Sequence, residues 1–361
     1  MIDFTSALYL GMRHPASALQ PWTQLTTGVP AALGEPTAAR MVARKFAELQ
    51  GCEDAVLGSS TLHLFWDLFG MFTGDDVTIF LDSGAYPIVR WGVERAAARG
   101  VAVRNFRHHD KKALCRQLSQ TRLRQTKPVV VCDGLCPACA GPAPLAAYLD
   151  EVHALRGLLI VDDTQALGIL GQSPSSEKPY GRGGGGSLPW SAIEGQDVLA
   201  VSSLAKGFGV PAAVLAGSEK RVRAFRIRSE TRVHCSPLSI ASLRAAEHAL
   251  AMNRNQGDAV RLQLANRVSC FRQVARQRGF RVRGGHFPVQ SPILPANINH
   301  ADIHRKLLAL GVHAVLHKSH PADRQQISFL VRADHSECNI IEAIAKFQQA
   351  INGTPLNGDQ S

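Results

Sequence analysis

LLIVDDTQALGILG (158–171) and VLAVSSLAKGFG (198–209) are the two stretches that carry the fold. Each opens on an apolar run too short for an ordinary helix and then breaks into polar and glycine-rich residues. Such uniformly apolar runs are strands covered on both faces, as in a parallel sheet. Working outward, VTIFL (77–81), VAVRNF (101–106), PVVVC (128–132) and AAVLAG (212–217) are runs of the same kind. Helix-like stretches separate several of them, at Pro87 to Arg99, Asp110 to Gln120 and Pro144 to Leu155. Pro36 and Gly51 bracket an earlier amphipathic helix with Met41, Val42, Phe46 and Leu49 on one side.

The pattern changes after about residue 236. Two helical segments, Pro237 to Asn253 and Asp258 to Arg278, precede short strands around 280–298. A helix near Asp302 to Leu310, a strand at 327–332 and a helix at 337–351 follow. This predicts an α/β fold with a mostly parallel sheet in a large domain and a smaller α+β domain at the C-terminal end. The expected divisions are an N-terminal arm at 1–35, a large domain at 36–240 and a small domain at 241–361. GRGGGGS (181–187) reads as a mobile surface loop, because four consecutive glycines disfavour a fixed backbone. The tail TPLNGDQS (354–361) reads as frayed.

The 361 residues are 45% hydrophobic and 19% charged, which excludes disorder for most of the chain. No apolar run approaches the ~18 residues of a membrane span, and MIDFTSALYLGMRHP lacks the pattern of a signal peptide. A cytoplasmic protein is expected. Lys plus Arg number 40 against 29 Asp plus Glu, a formal charge of +11 that favours acidic partners. The densest basic run, KRVRAFRIRSETR (220–232), reads as a solvated helix face. No nucleic-acid-binding motif accompanies it. The cluster Cys132, Cys136 and Cys139 in VVVCDGLCPACAGP (129–142) could hold a metal or act in redox chemistry. A structural or incidental role is preferred, since no second CxxC or paired histidine set is evident, and no metal is expected.

The strand ends carry the chemistry. In open α/β sheets, ligands bind beyond the carboxyl ends of the strands. LLIVDD ends in Asp162 and Asp163, and SSLAKGFG presents Ser202, Ser203 and Lys206. A phosphate-loop nucleotide hydrolase needs a Gly-Lys dipeptide, and the chain has none. The GxGxxG of a dinucleotide fold is not placed after a first strand, and a GxSxG elbow is absent. Pyridoxal phosphate (PLP) chemistry survives. It needs a lysine amine, a carboxylate at the pyridine nitrogen, hydroxyls and N–H groups for the phosphate, and a flat side chain at the ring. Lys206, Asp162, the turn Gly58, Ser59, Ser60 and Thr61, Ser203, and Tyr86 in DSGAYP supply that set in order. Singly, each has a blander reading: a capping aspartate, a surface lysine, a solvated turn.

These stretches resemble fold-type I PLP enzymes, and within them the α-oxoamine synthases. The matching segments are DFTSALYLG (3–11), LIVDDTQALGILG (159–171), SSLAKGFGV (202–210) and HCSPLSIAS (234–242), with weaker matches at LQGCEDAVLGSS (49–60) and APL (143–145). The resemblance implies that Lys206 carries the cofactor and moves protons at the substrate's α-carbon. It implies that Asp162 holds the pyridine proton, that Ser203 and Ser59 to Thr61 serve the phosphate, and that Ser236 lies near a phosphate site shared across a homodimer. It further implies condensation of a small amino substrate with an acyl thioester, on CoA or on an acyl-carrier protein.

Three departures from the family pattern matter. Gln165 stands where the family has a histidine, and Tyr86 where a histidine stacks on the ring. The strand at 327–331 lacks the arginine that holds the substrate carboxylate, leaving Arg332 or Arg324 to substitute. These departures keep an aminotransferase open as a second reading. A catalytically silent binding protein on the same fold is the third, against which Asp162 and Lys206 both argue.

Overall fold

The computed structural model describes residues 1–72, 77–122, 126–139, 141–194, 197–295, 297–319 and 324–352. The tail at 354–361 lies outside them, as do the side chains at 121, 122, 319 and 324.

A seven-stranded sheet runs in the order Asp54–Gly58, Ala213–Gly217, Val198–Ser203, Leu158–Asp162, Lys127–Asp133, Val77–Asp82, Ala102–Phe106. Ala213–Gly217 pairs antiparallel with both neighbours, and the other pairings are parallel. Alternation along each strand splits the side chains between two cores. Val129, Val131, Ile160 and Val201 join one with Leu64, Phe65 and Val89 from the helices Thr61–Gly70 and Pro87–Ala98. Val130, Cys132, Val161 and Ala200 join the other with Leu114 and Tyr148, from Lys111–Arg122 and Leu145–His153. Burial on both faces is why these strands read as unbroken apolar runs.

A four-stranded sheet of Val282–Arg283, Val289–Pro292, Arg324–Leu330 and Val315–Ser319 follows. Its helices are His300–Ala309 and Glu337–Asn352. Ile2–Asp3 pairs in parallel with Val312–His313, so the start of the chain is stitched to its later part. Among the described residues, no helix is long and apolar enough to cross a membrane.

Several expectations are corrected. The two helical segments after residue 236 are one 38-residue helix, Ile240–Gln277. Asn253 and Gly257 suggest a break, because both are poor helix formers. Here they serve packing: buried Arg261 donates to Asn253 Oδ1 (2.7 Å), Asp258 Oδ1 (2.6 Å) and the Gly168 carbonyl (2.9 Å). A Cβ on Gly257 would lie 2.9 Å from the Arg261 guanidinium. Met41 is exposed, and the buried face of Thr37–Leu49 is Ala39, Val42, Ala43, Phe46 and Ala47. The basic run is no free solvated face. Arg221, Arg226 and Arg232 pair with Asp197, Asp54 and Glu35.

GRGGGGS is no loose surface loop either. Gly184, Gly185, Gly186 and Ser187 are buried. The Gly168 N–H donates to the Gly184 carbonyl, and the Gly186 N–H to the Leu170 carbonyl. Gly184 and Gly186 have φ of 71° and 94°, and a Cβ on Gly186 would lie 2.0 Å from Asp163 Oδ2. The glycines are there for close approach, not for freedom.

Candidate active site

Parallel strands end at one edge, and three adjacent ones here end in aspartate: Asp162, Asp133 and Asp82. Asp133 pairs in register with Asp162, which places two buried carboxyl groups side by side. Burial pushes both above the usual carboxylate range, and for Asp133 the charge of Asp162 adds to it. Asp162 Oδ1 accepts the Thr164 N–H at 3.0 Å, and Asp133 Oδ1 accepts the Tyr86 N–H at 3.1 Å.

Lys206 follows the Val198–Ser203 strand, next in the sheet to Asp162. Burial lowers its ammonium below the ordinary lysine range, while Asp162 and Asp133 pull the other way. That balance favours a reactive amine. Its Nζ lies 5.7 Å from the centroid of the Tyr86 ring, which is half exposed. Lys206, Asp162 and Tyr86, 120 positions apart at the extremes, thus meet at one edge of the sheet.

Gln165 lies one turn beyond Asp162. Its Oε1 accepts the Tyr9 hydroxyl at 3.0 Å. Thr164 Oγ1 accepts the Ser203 N–H at 3.0 Å, tying the Asp162 and Lys206 strands together beyond the sheet. Ser203 Oγ accepts the Ala205 N–H at 3.3 Å. Ser59 and Ser60 lead into the helix that Thr61 begins, with Ser60 as its N-cap: Ser60 Oγ accepts the His63 N–H and lies 2.8 Å from His63 Nδ1. Ser59 and Ser236 line one cavity with Gly58 and His63, and this cavity is not lined by Lys206 or Asp162.

Of the two arginines, Arg332 is engaged elsewhere. Arg332 Nε donates to Asp334 Oδ1 at 2.8 Å and Nη1 to the Asp3 carbonyl at 3.1 Å, so its guanidinium is spent on holding the start of the chain. Arg324 begins a strand, and its side chain lies outside the described residues. Sequence reasoning missed Asp133, Asp82, Tyr9 and His63. The apolar run PVVVC preceding Asp133 was a usable signal, since adjacent strands that both end in aspartate bring two carboxyl groups together.

A mostly parallel sheet with a lysine and a buried aspartate at its carboxyl edge defines a fold-type I PLP transferase. The chain belongs to the aminotransferase class I and II family, whose model matches residues 19–346. It is 26% identical to the 8-amino-7-oxononanoate synthase of Trichlorobacter lovleyi over 95% of this chain and 86% of the relative. Two solved structures share the fold. Serine palmitoyltransferase of Sphingomonas wittichii matches with a TM-score of 0.82 at 18% identity, covering 97% of this chain and 87% of that one. The 8-amino-7-oxononanoate synthase of Francisella tularensis matches with a TM-score of 0.73 at 18% identity, over 98% of both chains.

The cofactor of this family is PLP, and the residues present fit it. Asp162 is buried with its carboxyl pushed toward the neutral form, and a protonated pyridine nitrogen is the partner that would restore its charge. Lys206 would hold the cofactor covalently, the Tyr86 ring would lie against it, and Ser203 and the turn at Ser59 to Thr61 would serve its phosphate.

Proposed function

We propose that this chain is an α-oxoamine synthase-like enzyme that condenses an amino acid with an acyl thioester, releasing carbon dioxide and the free thiol. The observation that carries the reading is the Lys206 amine beside Asp162 and under Tyr86, on a chain similar nearly end to end to 8-amino-7-oxononanoate synthases. PLP, when bound, supplies an electron sink for the carbon next to the substrate amine. Lys206 Nζ would take and return the proton at that carbon. Asp162 would hold the proton on the pyridine nitrogen, and the Gln165 amide would donate a neutral hydrogen bond where a histidine could carry charge.

The formal charge of +11 suits a thioester on CoA or on an acyl-carrier protein. We further propose a cytoplasmic homodimer with the Ser236 segment near the shared face. Purified protein with PLP, a panel of amino acids and a panel of acyl thioesters tests the reading by mass spectrometry of the products. Free thiol plus carbon dioxide is expected. Keto-acid-dependent amine transfer without thioester consumption would establish the aminotransferase reading instead. Protein that takes up no PLP would favour the silent one.

A further inference from the structure

Outside the Lys206 site, one cluster has the geometry of a metal centre. His108 and His109 follow the Ala102–Phe106 strand, and Cys139 sits near the tip of the hairpin formed by Leu135–Cys136 and Gly141–Pro142. The ligand atoms of His108, His109 and Cys139 all lie within 4.8 Å of one another. Cys139 Sγ is 3.6 Å from His108 Nε2 and 3.8 Å from His109 Nδ1. Those separations are within reach of hydrogen bonds to sulfur. They also match two ligands of a tetrahedral zinc, where bonds of about 2.3 Å to sulfur and about 2.0–2.1 Å to nitrogen put the two atoms ~3.6 Å apart.

The support around the cluster is that of a metal site. Asp82, buried at its strand end, accepts His108 Nδ1 at 2.7 Å, which turns Nε2 toward the sulfur. A carboxylate behind a ligating histidine fixes its tautomer and raises its basicity. The other Asp82 oxygen accepts the His109 N–H at 3.1 Å and holds that residue in a left-handed conformation, φ 54°. The two imidazoles stack with centroids 3.8 Å apart, and the same carboxylate holds the His108 ring and the His109 backbone. Cys139 is exposed, which leaves an entry path, and its Sγ lies 3.8 Å from the Cys136 carbonyl. The paired histidines judged absent beside the CxxC are 30 positions upstream, delivered by the neighbouring strand.

We propose that His108, His109 and Cys139 bind one zinc ion, with a solvent molecule in the fourth position. Thiolate and imidazole donors select zinc over magnesium or calcium. Asp82 Oδ1 also accepts the Gly84 N–H at 2.7 Å, within the turn that carries Tyr86 toward Lys206. The ion would therefore brace the turn beside the PLP site without touching the cofactor.

The test is zinc content by elemental mass spectrometry on tag-free full-length protein, purified under reducing conditions and loaded with PLP. One zinc per chain is expected. Cys139→Ser and His109→Ala should each weaken zinc binding at least tenfold, while Cys338→Ser, at an exposed position away from the cluster, should not. Borohydride labelling of Lys206 checks that each variant retains the cofactor site. Cobalt(II) substitution of the wild type gives an independent readout through a thiolate charge-transfer band, which needs no variant to fold. Wild-type protein that binds zinc no more tightly than Cys139→Ser, or cobalt(II) bound without a thiolate band, overturns the proposal. A Cys136–Cys139 disulfide that forms equally fast with and without added zinc overturns it as well.

Discussion

The Tyr9 hydroxyl donates to Gln165 Oε1 at 3.0 Å across 156 positions of sequence. Tyr9 is fully buried, and burial raises its phenol so that it stays a donor. The bond fixes which face of the Gln165 amide is oxygen and leaves its N–H groups for another acceptor.

Tyr9→Phe should therefore act through Gln165. Loss of one buried hydrogen bond is worth ~1 kcal/mol, which predicts roughly a fivefold fall in turnover. Gln165→Ala should fall further, and adding Tyr9→Phe to it should cost almost nothing more. Additive effects in this double-mutant cycle would show that the two side chains act separately.

Borohydride reduction of PLP-loaded protein, followed by peptide mapping, should place the pyridoxyl group on Lys206. Label on another lysine would reassign the site.

Asp162→Asn should keep much of the cofactor and lose at least ~100-fold in turnover, because a neutral amide cannot stabilise a charged pyridine nitrogen. Asp133→Asn removes a like-charged neighbour of Asp162 and one of the two carboxylates acting on Lys206, and should stay within about tenfold of wild type. The opposite ranking would make Asp133 the pyridine partner.

Asp163 is buried with its carboxyl pushed up to about 7, mainly by burial, from the ordinary aspartate value of about 4. A raised folded-state value means that the native chain holds the proton longer than the unfolded one. Its stabilising contribution is complete below about pH 4 and is lost as pH rises to about 7, at roughly 1.4 kcal/mol per pH unit. Asp163→Asn mimics the protonated form beside the Ser187 N–H, 2.9 Å away. It should flatten the denaturation midpoint across that window, and an unchanged profile would mean that Asp163 titrates normally.

Arg332→Ala should lower the melting temperature, because it frees Asp334 and the Asp3 carbonyl that the guanidinium now holds. A cost of ~1–3 kcal/mol is expected for such a partly buried pair. A raised Michaelis constant for the amino acid at unchanged stability would restore Arg332 as the substrate's carboxylate ligand.

The sequence by itself determined the central strands, the α/β class and the identity of Lys206 and Asp162 as candidates. Strands buried on both faces must be apolar along their whole length, and reactive groups must stand just past their ends, so both features are local and visible in one dimension. Tertiary structure decided what depends on neighbours. Asn253 and Gly257 break a helix by propensity, yet Arg261 makes them helical by filling the space they leave. Gly184 to Gly186 are mobile by composition, yet Asp163 and Leu170 hold them. Asp133 beside Asp162, Tyr9 on Gln165 and the two histidines facing Cys139 are pairings across strands or between distant segments. Sheet order and register set such distances, and no spacing along the chain encodes them.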